Sequence, residues 1–412
     1  MNNKAKQTLP FPVIILTAVV SFFCVIKTVN AYLVAGTEDD GVGGPLAVLY
    51  ALTILIAFGL GILFKKKVFS NISKDLLFIV FWILFFYLIT ITFIGKPYTS
   101  FAFLFVFTIA ALLMPSLTCV DGRLFMKCMM LYPVPAILKL DEIFVLPSLF
   151  STTISMGTSY AFLTPVIVTI VYLSTYFKEE SLAQKSVTIL LSAINFVFAS
   201  YLLLFGSRGP VLAIIATIVF LLVVRPDETG VGLSFKKRNF FITLVIAIIA
   251  SLMFVTLLNV FQKEFEHFGL SFNFIDKFLR LNDESDMTNG RTDLYKMAIG
   301  DFIDSPVWGK GFDLFGSIHP STDANYPHNF ILQILADGGI LLLIVFGVPI
   351  IRGIVKICKS CSKDEYAVFT TLLLGSVPGA MFTGDLWRNI TLWLFFGMVL
   401  SKNFVSKRLI TN

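Results

Sequence analysis

The sequence predicts an all-α polytopic membrane protein: about twelve transmembrane helices and one large loop outside the membrane, itself carrying short amphipathic helices. Three observations carry this expectation. Of 412 residues, 57% are hydrophobic and only 14% charged, where soluble domains carry about 25% charged residues. Mean hydropathy is +0.86. Apolar runs of about 20 residues, the length that crosses a bilayer as a helix, recur along the chain. Basic residues gather in alternate connections, as positive-inside orientation requires. A net charge of +6 would suggest nucleic acid in a soluble protein, but here it is spread over short inter-helix loops.

The chain opens MNNKAKQTLPFPVIILTAVVSFFCVIKTV, a basic head and a long apolar run. The run is too long for a signal-peptide core, no small-x-small cleavage site follows, and more spans come after it. We therefore read a retained signal anchor, spanning near 11–34. Further spans near 45–64, 76–95, 99–118, 123–139, 158–177, 186–205, 209–224 and 239–261 make residues 1–261 helices 1–9. The fifth is interrupted by Pro133 and Pro135, and Pro165, Pro349 and Pro378 mark kinks in or near later spans. Residues 262–328 are hydrophilic and form the large loop. Spans near 329–351, 365–383 and 387–404 make residues 329–412 helices 10–12.

Loop charge sets the orientation. With both termini cytoplasmic, the inner segments carry Lys65, Lys66, Lys67, Lys74, Arg123, Lys127, Lys178, Lys185, Arg225, Lys236, Lys237, Arg238, Arg352, Lys356, Lys359, Lys363, Lys402, Lys407 and Arg408. The short outer connections carry only Lys96, Lys139, Arg208 and Arg388. Within the large loop, Phe268, Phe272, Ile275, Phe278 and Leu279 space as one helical face, and Leu294, Met297, Ala298 and Phe302 as another. Both suit short helices on the membrane surface. Gly309, Gly311 and Gly316 follow as a flexible, close-packing stretch.

Several function classes drop out. There is no Walker motif and no GxGxxG before a helix, which argues against a nucleotide-driven pump. Cys358 and Cys361 form a CxxC in a basic loop without a second pair or a nearby histidine, so no zinc site is expected. The DESD run at 283–286 reads as solvated loop.

Chemistry concentrates at the outer boundary. His328 and Asn329 stand where the large loop meets the tenth span, in HNFILQILADGG, and the chain has only 3 histidines. Near-neutral imidazole can take a proton from an attacking hydroxyl or donate to a phosphate oxygen. Arg208 lies in FGSRGP between two spans with almost no loop. A headgroup anchor is the ordinary role there, but an unpaired cation outside runs against the orientation rule and suits an anion. Arg291 precedes a helix expected to begin near Thr292, where a cation opposes the helix dipole and a bound anion would explain it. Lys277, Arg280 and Lys296 lie in the same loop, where solvated faces are the ordinary role. Arg280 is kept with Tyr326 and Asn329 as a candidate substrate contact. Asp337 reads as a cap of the ADGG break, and Asp385 with Arg388 as a boundary ion pair.

Together these elements resemble the O-antigen polymerase and ligase superfamily of integral membrane glycosyltransferases. The resemblance lies in FGSRGP at 205–210, in GRTDLYKMAIGDFIDSPVWGKGFDLFG at 290–316 with its Pro306-x-x-Gly309-x-Gly311 stretch, and in PHNFILQILADGGI at 327–340. It implies a periplasmic large loop and an enzyme of the bacterial inner membrane that uses undecaprenyl-pyrophosphate-linked oligosaccharides. It further implies that Arg208 and Arg291 hold the pyrophosphate and that His328 assists the acceptor or the phosphate, with no metal and no cofactor. Fixed cations beside a leaving pyrophosphate stabilise the charge that develops there. A chain-length-determining co-polymerase is an implied partner. Ligases of this superfamily usually carry a small or hydroxyl residue three positions after the glycine. Leu342 stands there, which favours a polymerase over a ligase, with a flippase-like transporter as the non-enzyme alternative.

Overall fold

The computed structural model describes residues 10–33, 44–64, 72–134, 156–205, 208–227, 232–246, 260, 290–322, 324–382, 384–401 and 404–405. The described residues are 79% helical, and the fold is all-α. In chain order the helices are α1 (Phe11–Leu33), α2 (Gly44–Phe64), α3 (Lys74–Ile89, extended by a π-helical turn Thr90–Ile94) and α4 (Phe101–Leu117). Then come α5 (Gly122–Leu131), α6 (Met156–Thr175), α7 (Leu182–Phe205), α8 (Arg208–Val223), α9 (Arg291–Asp304), α10 (Phe315–Ile318), α11 (Phe330–Ser360), α12 (Lys363–Phe382) and α13 (Ile390–Leu400). A short antiparallel pair, Val224–Pro226 with Leu233–Phe235, sits between α8 and the residues that follow it.

By length and composition, Lys74–Ile94 and Phe330–Ser360 can each cross a bilayer, and further apolar helical stretches of 10–17 residues include Phe11–Ile26, Val48–Leu63 and Phe101–Leu117. Of the expected spans, the fifth is described only to residue 134, where α5 has ended at Leu131 ahead of Pro133. The ninth is described only to 246 and at 260, and the amphipathic face at 268–279 lies outside the described residues. Large apolar side chains point outward on many helices; Leu63, Phe93 and Leu182 are 76%, 80% and 83% exposed, as a lipid-facing surface requires.

Polar connections meet at two opposite ends. At one, Arg123 pairs with Glu179 at 2.7 Å, Lys127 with Glu180 at 2.7 Å, and Lys363 with Glu179. There too Tyr366 Oη donates to Val224 O at 2.7 Å and Gly232 N to Cys361 O at 2.9 Å. At the other, Thr99 N donates to Asp313 Oδ2 at 2.7 Å and Gln333 Nε2 to Asp385 Oδ1 at 2.9 Å. The connections at the first end are those expected inside, and those at the second are those expected outside.

The α11 helix is too long for one crossing: its 31 residues would span about 46 Å against a hydrocarbon core of about 30 Å. It breaks at Gly339, at φ 63° and ψ −159°, and the stretch 340–360 that follows is by itself long enough to cross. A break leaves backbone groups without helical partners, and the segment Pro306–Gly311 supplies them. Lys310 N donates to Ala336 O at 2.7 Å and Gly311 N to Asp337 O at 3.1 Å. In return Ile340 N donates to Pro306 O at 2.9 Å and Leu341 N to Val307 O at 3.3 Å. The two strands of chain approach so closely that a Cβ on Gly309 would lie 2.4 Å from Gly338 N, and one on Gly339 would lie 2.5 Å from Val307 C. Both glycines have positive φ, at 69° and 63°. The α9 helix then lies along the front of α11, with Leu294, Met297 and Ala298 packed among Phe315, Leu332 and Ala336.

This clasp predicts a contrast among glycines. Gly309→Ala and Gly339→Ala should each cost at least about 2 kcal/mol, from left-handed strain plus a backbone clash. Gly347→Ala, on the same α11 helix where an added Cβ meets no atom within 4 Å, should hold or raise stability. Thermal unfolding of the purified variants in detergent reads the difference; equal midpoints for all three would contradict the clasp.

Candidate functional site

The end of the bundle expected outside collects most of the residues singled out from the sequence. Gly290, at φ 76°, turns the chain into α9 and leaves Arg291 as its first residue, half-buried at the positive end of the helix dipole. The acid in that first turn, Asp293, is 3.0 Å from Lys296. The far end of α9 is fixed by Asp301, whose Oδ2 lies 2.8 Å from His319 Nε2, and the His319 ring packs on Phe315 at 4.8 Å. His319 thus ties α10 to α9.

Tyr326 and His328 form one unit, their rings edge to face with centroids 4.4 Å apart. His328 has φ 56°, a left-handed conformation that a non-glycine residue adopts only at a cost. Burial pushes the Tyr326 phenol up to about 12, and the Asp385 charge adds to this, while Arg388 and Arg291 act the other way. Arg291, Arg388 and Asp385 are therefore all within electrostatic reach of Tyr326.

Asn329, expected as a substrate contact, has a structural duty: its Oδ1 accepts from Ile331 N at 3.0 Å and Leu332 N at 3.1 Å and so caps α11. Arg208 opens α8, but its side chain lies outside the described residues. Its neighbour Gly209 abuts Tyr160, as does Gly379, whose carbonyl accepts from Gly384 N at 2.9 Å. The start of α8 is thus at the same end as Asp385 and Arg388. Arg280 lies outside the described residues.

The floor of the site is a buried polar network that spacing alone did not reveal. Asp313, at φ 53°, takes Thr99 N on Oδ2 at 2.7 Å and Tyr98 N on its carbonyl at 3.1 Å. Burial, reinforced by the Asp385 charge, pushes its carboxyl up to about 8, against the Thr99 hydrogen bonds and Arg388. Gln333 Nε2 donates to Asp385 Oδ1, and Gln333 Oε1 accepts from Leu386 N at 2.8 Å. Asp337 does not cap the ADGG break as expected; its Oδ2 accepts from Trp387 Nε1 at 2.6 Å, which locks α11 to the loop before α13. The expected Asp385–Arg388 pair is present but long, at 3.7 Å. A guanidinium, a helix-start arginine and an imidazole around one edge, with carboxylates buried beneath, make a surface suited to an anion and a hydroxyl.

Residues 193–347 match the family model described as O-antigen ligase. The match over this segment supports the O-antigen polymerase and ligase superfamily. That superfamily comprises integral membrane, glycosyl-transferring enzymes, which supports an enzyme and gives no support to a transporter. The O-antigen ligase segment runs from within α7 through the α11 break, so it holds Arg208, Arg291, Tyr326, His328 and Asn329 but neither Asp385 nor Arg388. No curated protein matches the chain.

Two outcomes follow from this geometry. Because the folded state holds a proton on Asp313 that the unfolded chain releases near 3.8, the stability it contributes is full below that pH and is lost as pH rises through about 8. Melting midpoints of the wild type should therefore fall between about pH 5 and 9, and Asp313→Asn should flatten that slope; an unchanged slope would remove Asp313 from the account. Asn329→Ala should cost about 1 kcal/mol as a lost cap, and Asn329→Asp should restore it. A cap that Asp cannot replace would return Asn329 to the list of substrate contacts.

Proposed function

We propose that this chain polymerises undecaprenyl-pyrophosphate-linked oligosaccharide repeat units into O-antigen or a related surface polysaccharide. The reaction takes place on the periplasmic side of the bacterial inner membrane, with about twelve spans and both termini in the cytoplasm. A hydroxyl of the acceptor unit attacks the anomeric carbon of the donor saccharide. The carbon–oxygen bond to the pyrophosphate breaks, and the electron pair leaves with the lipid pyrophosphate. Arg208 and Arg291 hold that leaving group, whose negative charge grows as the bond breaks, so fixed guanidinium groups favour the transition state over the bound donor. His328 assists either by taking the acceptor proton or by donating to a phosphate oxygen.

The observation that carries this reading is the convergence of Arg291, Tyr326 and His328 at the end of the bundle where α8 begins with Arg208. The left-handed backbone of His328, at φ 56°, supports it, since such outliers cluster at functional sites. Ligation of polymer to lipid A-core is the second reading, favoured by the description of the matched family. Leu342, which separates the two by resemblance, is fully buried against Gly338, so it shapes the helix break rather than facing substrate.

Arg208→Ala, Arg291→Ala and His328→Ala, expressed at wild-type level, should each abolish or sharply shorten the polysaccharide ladder. Arg→Lys should also impair at a bidentate phosphate contact, whereas a headgroup anchor would tolerate it. Normal ladders for all three alanine variants would refute the assignment. In a deletion strain a polymerase leaves one repeat unit on the core, while a ligase leaves bare core with polymer stranded on its carrier.

A further inference from the structure

Arg388 is a cation that the family segment does not include and that the orientation rule disfavours in an outer connection. Its surroundings differ from those of a headgroup anchor. The guanidinium lies over the Tyr98 ring, 4.1 Å from its centroid, with the Phe103 ring at 5.6 Å. Nε is 3.3 Å from Thr99 Oγ1 and 3.7 Å from Asp385 Oδ2, and Nη2 is 3.5 Å from Tyr98 O. None of these reaches the roughly 2.7–2.9 Å of a full charge-assisted bond. Nη1 has no hydrogen-bond partner among the described residues, and the side chain keeps 27% of its surface exposed.

The nearest acid faces Arg388 through Oδ2 at 3.7 Å, and its other oxygen is held elsewhere. Asp385 Oδ1 accepts from Gln333 Nε2 at 2.9 Å and from Trp387 N at 3.0 Å. Thr99, which receives one edge of the guanidinium, is itself held by Asp313 through its backbone N–H. So one edge and one face of Arg388 are tethered weakly to neighbouring groups, and the side chain stays partly exposed. The charges of Arg388 and, more weakly, Arg291 both act on the Tyr326 phenol.

We propose that Arg388 is a third cationic contact for the phosphate of the lipid-linked donor, and that Tyr98, Thr99 and Asp385 are the residues that position it. This rests on the reading that the site takes a lipid pyrophosphate. Such a group carries one more negative charge after its bond to the sugar breaks than before. A third fixed guanidinium therefore acts most strongly as the leaving group departs. Long tethers suit this role, because a short salt bridge to Asp385 would neutralise the cation before the phosphate arrived.

The test is calorimetric titration of the purified full chain in detergent with undecaprenyl pyrophosphate, inorganic pyrophosphate and, as an uncharged control, undecaprenol. Kd does not depend on the folded fraction, which enters the stoichiometry instead, so a partly unfolded variant still reports. R388K and R388Q should weaken undecaprenyl pyrophosphate about tenfold to a hundredfold and leave undecaprenol unchanged. Parallel weakening of inorganic pyrophosphate would assign the contact to the phosphate itself rather than to the lipid end. A structural tether instead predicts that R388K and D385N lower the melting midpoint together while Kd stays at the wild-type value. Wild-type affinity in R388K with lost affinity in R291K would overturn this inference and leave the proposed function standing. Wild-type affinity in both would overturn the two together.

Discussion

The outer half of this molecule depends on one backbone exchange, the four hydrogen bonds between Pro306–Gly311 and the break in α11. A helix that bends at membrane depth exposes carbonyl and amide groups, and each costs several kcal/mol if lipid faces it without a partner. Here every freed group at Ala336, Asp337, Ile340 and Leu341 is taken by the loop segment. The exchange requires glycine on both sides, because Gly309 and Gly339 have positive φ and each stands where a Cβ would strike the other strand. What the clasp secures extends beyond the break. It carries Phe312 onto Trp387, with ring centroids 3.9 Å apart, sets Phe312 N on Thr90 Oγ1 at 2.8 Å, and delivers Asp313 beneath Thr99.

From that anchor, separate connections become one site. Asp313 reaches the connection after α3, Asp337 reaches Trp387, and Gln333 reaches Asp385, so three pieces of chain remote in sequence share one buried polar floor. Burial, reinforced by the nearby Asp385 charge, keeps a proton on Asp313 toward neutral pH. Buried networks of this kind are rigid when satisfied, and rigidity is what a site needs to hold cations at fixed positions before an anion arrives.

Much of this was legible in the residues. Composition and loop charge predict the helical membrane class, and the connections expected on each side do gather at opposite ends. His328, Arg291 and Tyr326 stood out because rare residue types at a hydrophobic boundary are conspicuous. Asn329 was ambiguous for a physical reason: the amide that can bind a sugar is also one of the best helix caps, and sequence does not say which group it faces. Asp337 was read as a local cap, yet its partner Trp387 is 50 residues away. Gln333, Asp313 and Thr99 left no signal, since each acts only through a partner brought near by folding. Arg388 was read as half of an ion pair; the 3.7 Å separation and the Tyr98 ring beneath it are features of three dimensions alone.

The distribution of strain separates the two ends of the bundle. At the end expected inside, helix caps and ion pairs are short and direct. Ser73 caps α3 by accepting from Leu76 N at 3.1 Å, Asp121 caps α5 by accepting from Leu124 N at 2.8 Å, and Arg123 and Lys127 meet acids at 2.7 Å. The other end breaks local rules repeatedly: a cation at the positive end of α9, non-glycine residues Asp313 and His328 at φ 53° and 56°, and a buried Asp313 Oδ1 without a hydrogen-bond partner among the described residues. A helix broken in mid-course adds to the same account. A strained backbone residue costs stability of order 1–3 kcal/mol. Local rules broken together in one place mark a surface shaped by what it binds.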